Sequence, residues 1–341
     1  MSKQKQDFLL EVNNLEVKFY HEGGTVSAVN GVNLNIESGQ SIGVVGESGC
    51  GKSVTAYSML QILPTQGKIT SGEMKYKKEN GNIIDLVKID SESNEMRDIR
   101  GAEISMVFQE PMSAFSPVHT VGNQIEESVL LHQDIARHAA KERAIELLDL
   151  VGISNPAQRV EEYPFQLSGG MRQRAMIAMA LACNPRLLIA DEPTTALDVT
   201  IQAQVLQLIK QMQENLDLSL MLITHDLGVI AHMVDQVYVM YLGKVVEDGP
   251  VIEIFDNPQH PYTRDLLESI PKVTGVKGKL ASIQGSVPDA YNIPEGCSFH
   301  PRCQDVVSDK CKKIIPEEVE INSDHHVSCF KYTEKGVKTD A

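Results

Sequence analysis

The chain has 341 residues, 42% of them hydrophobic, enough for one large domain with an appendage or for two ordinary domains. Its formal net charge of −15 argues against non-specific binding to nucleic acid or anionic lipid. No run approaches the ~18 apolar residues of a membrane span. The opening Met1-Ser2-Lys3-Gln4-Lys5-Gln6-Asp7 lacks the apolar segment of a signal peptide, so a cytoplasmic protein is expected, with any membrane work done through a partner.

Strands are expected first. Leu15, Val17 and Phe19 alternate with polar neighbours, as do Val32, Leu34 and Ile36, which places strands within residues 8–45. Residues 41–45 are a short apolar run feeding a glycine loop, and residues 53–63 read as a helix ended by Pro64. Residues 66–100 are polar and Gly-punctuated and give no clear assignment. A strand over 104–108 stops at Gln109. Residues 122–151 read as two helical segments meeting near Asp134, the second burying Ile145, Leu147, Leu148, Leu150 and Val151. Ser168 is a good N-cap for a helix running to about Ala182. Residues 187–190 and 220–224 read as buried strands, with a helix over about 201–214 between them. Apolar strands alternating with helices imply a mostly parallel α/β sheet. The helical stretch 111–182 interrupts the alternation and is expected to form a subdomain. Near Asn257-Pro258 the α/β pattern ends. The remaining C-terminal segment is shorter, Pro-rich and holds four of the six cysteines. No internal repeat is present.

The chemistry begins at Gly46-Glu47-Ser48-Gly49-Cys50-Gly51-Lys52-Ser53, which comes after a strand and opens a helix. Glycines let backbone N–H groups curl around phosphate oxygens, and the helix N-terminus adds positive potential. Lys52 is expected to reach the β- and γ-phosphates of ATP, and the Ser53 hydroxyl to ligate Mg²⁺; Val54 closes the expected contact set. Asp191 ends a buried strand, placed to hold the Mg²⁺ shell, and Glu192 beside it is placed to polarise the attacking water. Gln109 and His225 each sit just past an apolar strand, where ligands of open α/β sheets collect. Gln109 offers an amide oxygen to Mg²⁺ or water, and His225 an imidazole to the γ-phosphate.

The ordered set formed by residues 46–53, Gln109, Leu167-Ser168-Gly169-Gly170, Asp191-Glu192, Ala196-Leu197-Asp198 and His225 resembles the ATP-binding-cassette ATPases over about residues 8–255. The resemblance implies a RecA-like, mostly parallel core with an antiparallel β subdomain and a helical subdomain. It implies that Ser168, Gly169 and Gly170 contact the ATP of a second cassette, with Asp198 at the seam. It also implies an aromatic against adenine, for which Tyr20 is first choice and Phe19 second. Met171 departs from the family's usual Gln but suits its peptide-importer branch. His260-Pro261-Tyr262-Thr263, with Leu266-Leu267 and Ile270-Pro271, resembles the tail of oligopeptide and dipeptide importer ATPases, as do Tyr163-Pro-Phe-Gln-Leu-Ser-Gly-Gly-Met-Arg-Gln-Arg and Glu192-Pro-Thr-Thr-Ala-Leu-Asp-Val-Thr. This extends the likeness to nearly the whole chain: an ATPase domain over 1–255 and an importer-type extension over 256–341.

The implied activity is MgATP hydrolysis coupled to uptake of peptides, or in other branches of oligosaccharides or nickel. The implied partners are a second, related ATPase, two membrane permease subunits and an external solute-binding protein, with the chain on the cytoplasmic face of the membrane. Pro111-Met112-Ser113-Ala114-Phe115-Ser116-Pro117 would line the groove that receives the membrane subunits. A soluble cassette ATPase of DNA repair or translation would need a second cassette, a coiled-coil insertion or a basic surface, none of which the sequence contains.

Cys297, Cys303, Cys311 and Cys329 lie within 33 residues, separated by five, seven and seventeen residues. Cytosolic location disfavours disulfides, and four thiols in a core-poor appendage suit a metal staple. Tight Cys pairs typical of zinc are missing, whereas Cys₄ ligation of a [4Fe–4S] cluster tolerates varied spacing. Cluster, zinc and free structural thiols stay open on the residues alone; the importer resemblance implies the cluster. His300, His325 and His326 are expected to face solvent unless they join a zinc site. Cys50 and Cys183 are expected to be small buried residues.

Overall fold

The computed structural model describes residues 8–110, 114–195, 197–270 and 283–333. The chain divides into two compact units. One gathers residues 36–41 and 75–223 with residues 8–10; the other gathers 11–35, 42–74 and the described part of 224–341.

Three parallel strands anchor the first unit, in the order β8 (Ser219–Ile223), β7 (Leu187–Asp191), β6 (Ile104–Val107). Leu187 pairs with Ser219 and Asp191 with Ile223 on one side, and Ile104 with Leu187 and Val107 with Ala190 on the other. Every residue of the three strands is buried, which explains why they are apolar apart from Ser105, Asp191 and Ser219. Two helices, α3 (Val121–His132) and α4 (Arg137–Leu150), meet around Asp134 as the sequence indicated, and α6 (Gly169–Ala180) packs with both. Helix α4 buries Leu147 and Leu148 and is followed by buried Val151, but Leu150 is 45% exposed and Ile145 half-buried. Their 3.6-residue positions fall off the inner stripe, which corrects the expected burial. Helix α7 (Val199–Leu216) starts two residues earlier and ends two later than expected.

The second unit contains the run β11 (Val319–Asn322), β12 (His325–Val327), β10 (Lys244–Pro250), β9 (Gln236–Tyr241), β3 (Ser41–Val45). β3 pairs in parallel with β9, Ile42 opposite Gln236 and Val45 opposite Val239. β10 turns back antiparallel on β9, and β12 adds to β10 with Glu247 opposite Val327. The long strands β1 (Phe8–His21) and β2 (Gly24–Glu37) lie mostly in this unit, β1 being flanked by β2 and by β4 (Gly67–Lys77). Helix α1 (Lys52–Met59) comes directly after the glycine loop and is shorter than expected, stopping at Leu60 before Pro64.

The tail holds two strands that the residue pattern does not assign: β11 and β12 extend the sheet of β9 and β10. One expectation about the tail is overturned. His325 does not face solvent, and His326 is half-buried. His325 is 0% exposed and its Nε2 lies 2.8 Å from a Glu247 carboxylate oxygen; His326 Nδ1 lies 3.1 Å from Asp248. Strand addition brings both histidines against acids already on β10. The Asp248 partner raises the His326 pKa. His300 is half-buried, with Nδ1 3.0 Å from the Cys297 carbonyl. Cys183 is only half-buried, its thiol 3.4 Å from the Ser128 carbonyl, while Cys50 is buried as expected.

Candidate nucleotide site

The expected site residues divide between the units. Tyr20, residues 46–54 and His225 belong to the second; Gln109, Ser168 to Gly170, Asp191, Glu192 and Asp198 belong to the first.

In the second unit the chain leaves buried β3 and turns through Gly46, Gly49 and Gly51, with φ of 147°, 81° and 103°. These lie in or near conformations that side chains rarely adopt. A Cβ at Gly46 would fall 2.2 Å from the Met240 carbonyl oxygen, and one at Gly51 2.4 Å from that of Ala28. Glycine is therefore required at both positions by contact as well as by φ. No side chain caps the first turn of α1, a terminus suited to an anion. Lys52 is buried, and its Nζ donates to the carbonyls of Gly46 (2.8 Å) and Glu47 (3.0 Å), closing the loop into a ring. Cys50 lies beneath, its thiol pKa raised by burial. Ser53 and Val54 are half-buried on the first turn, and Ser48 is exposed at the mouth. Tyr20 is 47% exposed. His225 is exposed in the turn that Asp226 and Thr224 close through a 3.0 Å hydrogen bond.

Glu47 is held differently. Its carboxylate accepts two hydrogen bonds from Arg302, at 2.6 and 3.0 Å, and its N–H donates to the Tyr262 hydroxyl at 2.9 Å. Both partners come from the C-terminal part of the same unit. Arg302 is not legible in the sequence, since a pair 255 residues apart leaves no local pattern, and Tyr262 is legible only as part of the His260–Thr263 motif, not as a partner of Glu47.

In the first unit Asp191 is buried at the end of β7 and Glu192 comes next with φ of 46°. A left-handed glutamate costs roughly 1–3 kcal/mol and marks a residue held by its surroundings. Its N–H donates to the Ile223 carbonyl at 2.8 Å. Its Oε2 accepts from Gln109 Nε2 at 2.9 Å and from Thr195 Oγ1 at 2.8 Å. The structure thus joins Gln109 to Glu192 and gives Gln109 an orienting task the sequence does not suggest. Thr195 is likewise absent from the expected set, although its place three residues after Glu192 offers a hint.

Ser168 and Gly169 are exposed at the start of α6, where Ser168 Oγ accepts from the Met171 N–H at 3.3 Å. A Cβ at Gly169 would meet nothing within 4 Å, whereas one at Gly170 would press on Ile201 at 2.9 Å. Arg172 Nε bonds the Leu167 carbonyl at 3.0 Å, and Arg174 bonds Val151 O and Gln204, fixing this terminus. Asp198 caps α7 through the N–H groups of Thr200 and Ile201. Ala196 and Pro111, Met112 and Ser113 lie outside the described residues. Of the expected groove, Phe115 is buried, and Ser116 N–H donates to Gln124 at 2.7 Å.

The tail motif also acquires a physical account. His260 caps α10 (Pro261–Glu268), its Nδ1 accepting from Tyr262 N–H at 3.1 Å, and burial lowers its pKa to about 4, so it is neutral. Tyr262 packs with Tyr241 and Phe299 at ring-centroid distances of 4.8 and 5.3 Å. Cys297, Cys303, Cys311 and Cys329 line one cavity with Phe299, Pro261 and Phe330. Burial, with the neighbouring thiols adding, raises Cys297 and Cys303 to about 11. Among the described residues, no three His, Cys, Asp or Glu side chains gather as a single metal ion requires.

A glycine ring closed by a lysine, and a carboxylate pair ending a parallel strand, define a phosphate-loop nucleoside triphosphatase. Comparison with known proteins makes the class specific. The family described as "ABC transporter" matches residues 29–195, and "Oligopeptide/dipeptide transporter, C-terminal region" matches 246–311. The oligopeptide transport ATP-binding protein AppD of Bacillus subtilis is 48% identical over 331 residues, 97% of this chain and 98% of that one. The dipeptide transport ATP-binding protein DppD of the same organism is 47% identical over 323 residues, 94% of each. Among solved structures, a dimeric ATP-binding cassette bound to ADP and Pi superposes with a TM-score of 0.62 at 27% identity, covering 71% of this chain and 98% of that one. The chain belongs to the oligopeptide/dipeptide branch of the ABC transporter ATP-binding proteins. It has the cassette fold and is an ATP-hydrolysing transporter subunit. No helix among the described residues is long and apolar enough to cross a membrane.

Proposed function

We propose that this chain powers uptake of oligopeptides or dipeptides from the cytoplasmic face of a membrane. One observation carries the hydrolytic part: Glu192, at the tip of β7, is held by Gln109 and Thr195 with its backbone in a left-handed conformation. In this reading the ring of residues 46–53 cradles the triphosphate, with Lys52 donating to the β- and γ-phosphates. Ser53, Asp191 and Gln109 would hold Mg²⁺, which neutralises phosphate charge when bound. Glu192 polarises the water that attacks the γ-phosphorus, His225 donates to the γ-phosphate, and Tyr20 stacks on adenine. Ser168, Gly169, Gly170 and Asp198 serve the nucleotide of a second cassette, a related but different chain. Two permease subunits and an external binding protein select and pass the cargo. Peptide is favoured over oligosaccharide or nickel by the match of the extension. Stimulation of ATPase activity in the reconstituted complex by peptide-loaded binding protein supports this cargo; stimulation only by an oligosaccharide or nickel refutes it.

We further propose the four cysteines as ligands of a [4Fe–4S] cluster. What supports this is that all four line one cavity, and that Cys₄ ligation of such a cluster tolerates varied spacing. Iron and sulfide analysis of anaerobically purified protein tests it: about four of each per chain is expected, and one zinc, or no metal, refutes it.

A further inference from the structure

Glu47 is an acid in the second position of a loop shaped to collect a polyanion. Left bare, its carboxylate would oppose a triphosphate arriving a few ångströms away. Arg302 meets it with a two-pronged contact, Nη1 to Oε2 at 2.6 Å and Nη2 to Oε1 at 3.0 Å. The guanidinium is held in place by its surroundings. Its side chain is 4% exposed, Nε donates to the Gln284 carbonyl at 3.1 Å, and its carbon lies 5.8 Å from the Tyr241 ring centre and 5.9 Å from that of Phe299. Tyr262 takes the Glu47 N–H from the other side. Both ends of Glu47 are thus engaged by the extension.

We infer that Arg302 is a positioning residue for nucleotide binding, through which the C-terminal extension neutralises Glu47 and sets the affinity of the loop for MgATP. A merely structural ion pair would hold the extension in place and leave nucleotide affinity alone. The inference rests on residues 46–53 being the triphosphate loop, and the controls separate the two.

The test is MgATP titration of the full chain, with KM and kcat of the assembled transporter. R302Q should weaken MgATP binding and raise KM about tenfold, with kcat changed less than about twofold, since an unpaired carboxylate then faces the phosphates. Adding E47Q to R302Q should recover most of that loss. Unchanged affinity in R302Q, or a double variant as weak as R302Q, overturns the inference. Should R302Q not fold, R302Q/E47Q against E47Q alone carries the test. E47Q binding as tightly as R302Q/E47Q or less than about tenfold tighter, with R302K, which keeps the charge but not the two-pronged contact, weaker than wild type, supports the inference; wild-type affinity in R302K, or a tenfold loss in the double variant relative to E47Q, overturns it. K52A should weaken binding by about 10–100-fold in every background; normal binding by K52A would instead overturn the loop assignment.

Discussion

Two helix N-termini in this chain are suited to phosphate, and they are built in opposite ways. The one at Gly51 is enclosed. Lys52 folds back onto the carbonyls of Gly46 and Glu47, and Arg302 and Tyr262 hold Glu47. The one at Ser168 is open: Ser168 and Gly169 are exposed, and space surrounds the Gly169 Cα. The first is completed by side chains of its own unit. The second offers a hydroxyl and bare backbone outward, as a half-site does. This contrast supports the proposed division: one chain keeps its own ATP at the first terminus and lends the second to a neighbour.

The largest effect should come from Glu192, the proposed catalytic base. Glu192→Gln keeps the Gln109 and Thr195 partners but removes the base, so turnover in the assembled transporter should fall by roughly 10²–10⁴ while MgATP binding persists. Full activity in that variant breaks the catalytic assignment. Lys52→Ala should weaken MgATP binding by about 10–100-fold, the worth of hydrogen bonds to charged groups, measured by titration of the purified chain. Gly169→Asp should leave folding and MgATP binding by the chain itself within about twofold, because its Cβ enters open space and an acid suits a helix N-terminus. It should weaken ATP-driven pairing of cassettes by about tenfold or more, read by sedimentation, because the added charge faces the other chain's phosphates. Ser168→Ala should be the mildest, costing about 1 kcal/mol of stability through loss of the Met171 cap, read by denaturant melts.

The enclosed terminus is easier to read from sequence than its enclosure. Residues 46–53 announce themselves because glycine, lysine and serine act locally, and β3, β7 and β8 because buried parallel strands are near-continuous apolar runs. Ser168 is legible as a cap for the same local reason. β4 escapes because only Met74 and Tyr76 are buried along it, so its alternation is confined to one end. β11 and β12 escape because they are short and take their place from β10, a distant segment. Arg302 and Thr195 escape because their meaning lies in whom they touch. His325 misleads because a histidine in a polar tail looks solvent-facing until the acid across the strand, Glu247, is known.

The most direct measurement of the two-terminus account is photolabelling with azido-ATP of the assembled transporter carrying Gly169→Asp in this chain. Labelling of this chain should persist while labelling of the partner ATPase falls sharply. Loss of labelling on this chain, with the partner unaffected, would contradict the account.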